Sequence, residues 1–209
     1  MSEKIKALKE KYESKISSKD ELEKYSNELT NLVFKFQQED KIEGLMEIVD
    51  IYEKLLVKNP DNQIIQNHYG QTILNSLPLF FTKLTPTEIL DVVNTLRSHA
   101  YDSKQFVLLE YLVMTLVNLI YDFSLIQRLS SIREFTMELI DLSRKHQNKE
   151  RIEIACAKGL MNATMIFLQN NNKDSATDCY KAMRKIMDRY PEKDMVDTMQ
   201  LQRLKEILE

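Results

Sequence analysis

Four otherwise apolar stretches carry an asparagine near their centre: ELTNLVFKF, QTILNSLPLFF, TLVNLIYDF and GLMNATMIF. A phenylalanine follows each amide by five residues, giving Asn31/Phe36, Asn75/Phe80, Asn118/Phe123 and Asn162/Phe167, and the asparagines are spaced by 44, 43 and 44. A carboxamide offers a donor and an acceptor together, the same pair that a peptide unit offers. A row of such groups can therefore hold a polypeptide backbone. The same residues are weak helix formers, and an unpartnered buried amide costs about 1–3 kcal/mol. Two readings meet that cost: the amides bridge neighbouring helices and loop backbone, or they face a groove and bind. Repetition favours both equally, and background asparagine is frequent, with 13 in the chain.

Other reactive groups do not converge in the sequence. None of His68, His99 and His146 has a glutamate three residues before it, and no His-Glu-x-x-His element or glycine-rich phosphate loop occurs. We therefore expect no catalytic residue, no metal and no cofactor. Cys156 and Cys179 are too few and too far apart for a disulfide framework or a zinc site, and reduced core thiols fit a cytoplasmic protein. Cys156 with His146 is the one thiol pair that could act as a nucleophile. Glu110, in the most apolar stretch, reads as an edge residue or the partner of a neighbouring basic chain. Gly44, Gly70 and Gly159 read as places of close helix approach. Met183, Met187, Met195 and Met199 read as adaptable core filling or, if exposed, as a dimer contact.

The composition says what could position these groups. The chain of 209 residues is 43% hydrophobic and 29% charged, with three Gly and four Pro, a balance that favours helices joined by short connections. A net charge of −3 with a pI of 5.8 argues against a general nucleic-acid binder. The start, MSEKIKALKEKYESK, lacks the apolar run of a signal peptide. The stretch 106–121 carries Glu110 and is shorter than the roughly 20 apolar residues of a membrane helix, so no membrane is expected.

Registering the chain on the asparagines exposes a helical stripe at offsets −6, −2, +2 and +5, for example Tyr69, Ile73, Leu77 and Phe80. This predicts four "A" helices at roughly 19–37, 62–82, 103–123 and 149–169. Each is followed by a second periodic segment, a "B" helix, the first placing Ile42, Leu45, Ile48, Val49, Tyr52, Leu55 and Leu56 on one face. Capping boxes are expected at Ser18/Glu21, Thr85/Glu88 and Ser131/Glu134, with Pro86 at a first helical position. Pro60 and Pro191 would end the first and fourth B helices, and Pro78 would kink or shorten the second A helix. Ile5, Leu8, Tyr12 and Ile16 form the apolar face of an N-terminal capping helix; Met195, Met199, Leu204 and Ile207/Leu208 do the same at the C-terminal end. The expected organisation is one helical-repeat domain with repeats at 18–60, 61–101, 102–147 and 148–191, and capping helices within 1–17 and 192–209.

YEKLLVKNPDN at 52–62 and ATDCYKAMRKIMDRYPEKD at 176–194 resemble the closing segment of a tetratricopeptide repeat, and Leu29/Asn31, Ile73/Asn75, Leu116/Asn118 and Leu160/Asn162 match the Leu-x-Asn element of that family's first helix. The period differs, 43–44 residues against 34, and is nearer that of armadillo and HEAT arrays. The resemblance implies an all-α fold, a right-handed α-solenoid of about four helix-turn-helix repeats with capping helices at both ends. It also implies that the amides lie on a concave face that grips a peptide. Same-face neighbours would complete the groove: Lys24, Asn27 and Asn31; His68, Gln71 and Asn75; Tyr111, Met114 and Asn118; Lys158 and Asn162. The family's arrangement for holding a terminal carboxylate is only partly met. The expected function is a protein–protein interaction module, a scaffold or adaptor docking a peptide or partner helix. Self-association into a homodimer is the second reading, and a helical small-ligand sensor or enzyme a distant third.

Overall fold

Burial follows the register of the stripe. In the computed structural model, which describes residues 3–12, 18–193 and 195–208, all sixteen residues at offsets −6, −2, +2 and +5 are buried. The four phenylalanines are almost fully enclosed, each burial contributing about 1.5–3 kcal/mol. The described residues form ten helices and no strand: α1 (Glu3–Tyr12), α2 (Lys19–Gln38), α3 (Ile42–Lys58), α4 (Gln63–Lys83), α5 (Pro86–Asp102), α6 (Val107–Leu125), α7 (Leu129–Lys145), α8 (Glu150–Gln169), α9 (Lys173–Met187) and α10 (Thr198–Leu208). The A helices are α2, α4, α6 and α8; the B helices are α3, α5, α7 and α9.

The chain divides into two compact units, 1–112 and 113–209. In the first, α2 packs on α1, α3 and α4, and α4 also meets α3 and α5. In the second, α7, α8 and α9 pack against one another and α10 lies on α9. Helix α6 contributes its first six residues to the first unit and the rest to the second. It is the one helix among the described residues long and apolar enough to cross a membrane by length and composition, and half of it is buried inside the fold. Glu110 sits in its first turn, where the helix dipole favours a carboxylate.

The turn after an A helix repeats at atomic detail. Asp40, Gln127 and Asn171, each nine residues after its asparagine, adopt φ of 58°, 57° and 55°. In each case the next residue's N–H reaches back to the carbonyl of the repeated phenylalanine: Lys41 to Phe36 at 2.8 Å, Arg128 to Phe123 at 3.0 Å, and Asn172 to Phe167 at 2.8 Å. This left-handed closure satisfies carbonyls that the helix end leaves open. The second A helix is the exception. Its Leu84 stays extended at φ −106°, bonding Phe80 at 2.8 Å, and leads into the Thr85/Glu88 capping box with Pro86 inside the helix start.

Three local expectations are corrected. Ser131 does not cap: α7 begins two residues earlier, after Arg128, and Ser131 is buried in its first turn. Of the two outcomes expected at Pro78, a kink or an early end, the early end does not occur: α4 runs on to Lys83 with Pro78 inside it. At the C-terminal end Met195 is buried but precedes the helix, which starts only at Thr198; within it Leu204 is buried while Met199 and Ile207 are exposed, Met199 standing about 140° around the helix from Leu204. The N-terminal face holds for Ile5, Leu8 and Tyr12, which are buried, with the Tyr12 hydroxyl donating to Glu28 Oε1 at 2.8 Å; Ile16 lies outside the described residues. Ser18 caps α2, accepting from the Glu21 N–H at 3.2 Å.

Candidate functional site

The four repeated amides are not buried. Asn31, Asn75, Asn118 and Asn162 are all exposed, and none of their side chains is bonded to another of the described residues. Helical geometry gives the reason. At 3.6 residues per turn the stripe offsets fall between about 120° and 200° around the helix axis, with the asparagine at zero, on the far side. Exposed to solvent, the amides need no protein partner. The desolvation cost of a buried amide does not arise.

Other residues do the bridging. In the first unit Gln37 Nε2 donates to the Asn75 backbone carbonyl and to Ser76 Oγ, both at 3.1 Å, tying α2 to α4. Gln66 Nε2 donates to the Pro60 carbonyl at 2.6 Å and to Ser103 Oγ at 3.0 Å. His68 and Tyr111, seven residues before their asparagines, each meet the residue five before the preceding asparagine. Ser26 Oγ lies 2.7 Å from His68 Nδ1, and the Tyr111 ring covers Gly70 so closely that an added Cβ would lie 2.7 Å from the Tyr111 Cβ. Gly70 thus provides the close approach expected of it, at a position where Ser26 in the preceding A helix carries only a small side chain. Gly159 does the same in the second unit, where a Cβ would fall 2.8 Å from Val117 Cγ2.

The Ser26–His68 pair has the separation of a nucleophile and its base, and burial lowers the His68 pKa toward the neutral ring. Yet Ser26 is wholly enclosed, and the Tyr52 hydroxyl donates to its carbonyl at 2.8 Å and lies 3.0 Å from Thr30 Oγ1. The cluster braces α2, α3 and α4. Cys156 is also enclosed, and burial pushes its thiol up to about 12, away from the thiolate a nucleophile needs. Among the described residues no three His, Cys, Asp or Glu side chains come together as metal ligands.

The remaining candidate residues divide between open surface and helix contacts. Lys24, Asn27 and Lys158 are exposed; Gln71 and Met114 are half-buried, as are His68 and Tyr111. Tyr111 donates to Asn67 Oδ1 at 2.8 Å. In the first unit His68 and Tyr111 therefore serve the packing of successive A helices, and the open face narrows to Lys24, Asn27, Asn31, Gln71 and Asn75.

One repeated feature escaped the sequence reading. Three residues after each asparagine, one turn along the same face, stands an apolar residue: Phe34, Pro78, Tyr121 and Met165. Phe34 is 46% exposed and Tyr121 57%, Pro78 is exposed and Met165 is half-buried. Extending the register by one offset would have found them. Each A helix thus presents to solvent an amide and, one turn on, an apolar group. A second missed residue is Glu153, whose buried carboxylate is paired with Arg189 and accepts from the Tyr190 hydroxyl at 2.7 Å and the Asn148 N–H at 2.9 Å. No sequence signal announced it, since its partners come from other segments. No protein-family model matches the chain, and no curated protein or solved structure is detectably similar to it.

Proposed function

We propose that the chain is a tetratricopeptide-like α-solenoid that acts as a protein-interaction module, docking a peptide or partner helix on the outward faces of its A helices, with no bond made or broken. The observation that carries this reading is the fourfold pairing of an exposed amide with an apolar residue one turn later, exposed at Phe34, Pro78 and Tyr121 and half-buried at Met165. Burial explains the recurrence of register at the stripe; it does not explain an exposed amide followed one turn later by an apolar residue, outside the core, in every A helix. The amide would bond the partner's backbone, and Phe34, Pro78, Tyr121 and Met165 would receive its side chains. Aromatic residues on such a surface supply contact area at little cost in rotamer freedom.

The test is a peptide-array screen with the full chain, repeated with the Asn75→Ala/Asn118→Ala variant. Bound peptides should weaken by about tenfold or more while thermal unfolding is retained. Unaltered binding in a folded variant would contradict the reading, and loss of folding would return the amides to a structural role.

A further inference from the structure

A cleft of about 570 Å³ lies between α7 and α9 in the second unit, and none of the four amides lines it. Its floor is apolar: Phe167 and Cys179 are buried, Ile140 is half-buried, and Met137 projects with 58% of its surface exposed. Its walls are basic. Arg133 and Arg144 stand along α7, Lys181 and Lys185 along α9, and Arg189 beyond it, against only two carboxylates, Asp141 and Asp178. Arg189 is engaged with Glu153, and Arg144 lies 3.6 Å from Asp141. Arg133, Lys181 and Lys185 have no ion-pair partner among the described residues. From Arg133 to Arg144 the α7 wall runs about 16 Å, room for about three turns of helix.

We infer that this cleft is a docking site for an acidic amphipathic helix of a partner protein. Its apolar face lies on Met137 and Ile140, and its carboxylates face Arg133, Lys181 and Lys185, in the mode in which a groove takes the apolar stripe of a helix. Charge rules out the chain's own terminal helices as occupants. Helix α1 carries four lysines against two glutamates, and α10 carries Arg203 and Lys205 against Glu206, so both would be repelled. Helix α3 of a second copy offers Glu43, Glu47 and Asp50, but its apolar residues are committed to the core of its own unit and have nothing to lay on the floor. A free segment has both faces available. Met137 suits the floor because a flexible thioether adapts to different apolar side chains.

The probe is a fluorescent, roughly three-turn synthetic helix with leucines on one face and glutamates flanking them, titrated into the full chain and followed by anisotropy. Its counterpart has lysine for every glutamate. The acidic peptide should bind, weaken as salt rises, and lose about tenfold or more in affinity in the Lys181→Glu/Lys185→Glu variant; the basic peptide should not bind. Both lysines are exposed, so unfolding should be unchanged, and amide NMR shifts should move at Met137 and Ile140. The Asn75→Ala/Asn118→Ala variant should bind the probe normally, which separates this site from the amide faces. Absence of binding by the acidic peptide, equal binding of both peptides, or indifference to the lysine reversals would overturn the proposal. So would concentration-dependent self-association of the chain that the reversals abolish, which would give the cleft to a second copy.

Discussion

The first unit and the second share a core stripe but lock their helices together differently. In the first, polar side chains stitch one A helix to the next: Gln37 reaches Asn75 and Ser76, Ser26 meets His68, and Tyr111 reaches Asn67. In the second, Val117 of one A helix lies against Gly159 of the next, Phe123 of α6 stands edge-on to Phe135 of α7 at 5.4 Å, and the buried polar contribution is concentrated in one enclosed carboxylate. The stripe is what the repeat preserves; the means of joining neighbours is free to vary. A position that stays constant in all four helices while lying outside the core, as the asparagine does, is therefore not explained by either style of packing.

The largest effect that would break this contrast lies at the enclosed carboxylate. Arg189→Ala removes the cation beside a side chain with no exposed surface, and should cost about 3–5 kcal/mol in chemical denaturation. Removing Lys11, whose pair with Glu28 in the first unit is largely exposed, should change little. Equal losses would mean that the two units are not held differently. Next comes the close approach in the first unit. Gly70→Ala should cost about 1–3 kcal/mol by forcing Tyr111 aside, although alanine is the better helix former. In a Tyr111→Ala background the same change should become neutral or stabilising, and a double-mutant cycle measures the difference. Smaller still is the effect at the turns. Gln127 holds φ of 57° without the freedom of glycine, so Gln127→Gly should raise stability by about 0.5–1 kcal/mol. Leu84→Gly, at the one extended turn, should lower it, and a melting-temperature comparison of the two variants decides.

Much of this arrangement was legible in the residues. The sixteen stripe positions, the four A and four B helices and the Thr85 cap could be read because helical periodicity, copied four times, outweighs local noise. The side of the helix on which the asparagines stand was legible too, but it was obscured: Leu32, Leu119 and Met161 sit beside three of the amides and make the run look apolar all round. Leu32 is in fact only half-buried. The left-handed turns were hidden because Asp40, Gln127 and Asn171 share no residue type that demands positive φ. The Ser131 box was misread because a Ser-x-x-Glu pattern also fits one turn inside a helix. Glu153 and the α7–α9 cleft depend on segments brought together only by folding.

The central claim is that the repeated amides are kept for something other than the fold. Replacing Asn31, Asn75, Asn118 and Asn162 together by alanine and measuring the free energy of unfolding tests it most directly. With exposed, unbonded side chains, each change should gain about 0.5 kcal/mol of helix propensity, so the variant should be more stable by about 2 kcal/mol if the sites act independently. A variant less stable than the parent would show that the amides hold the helices together, and would contradict the account.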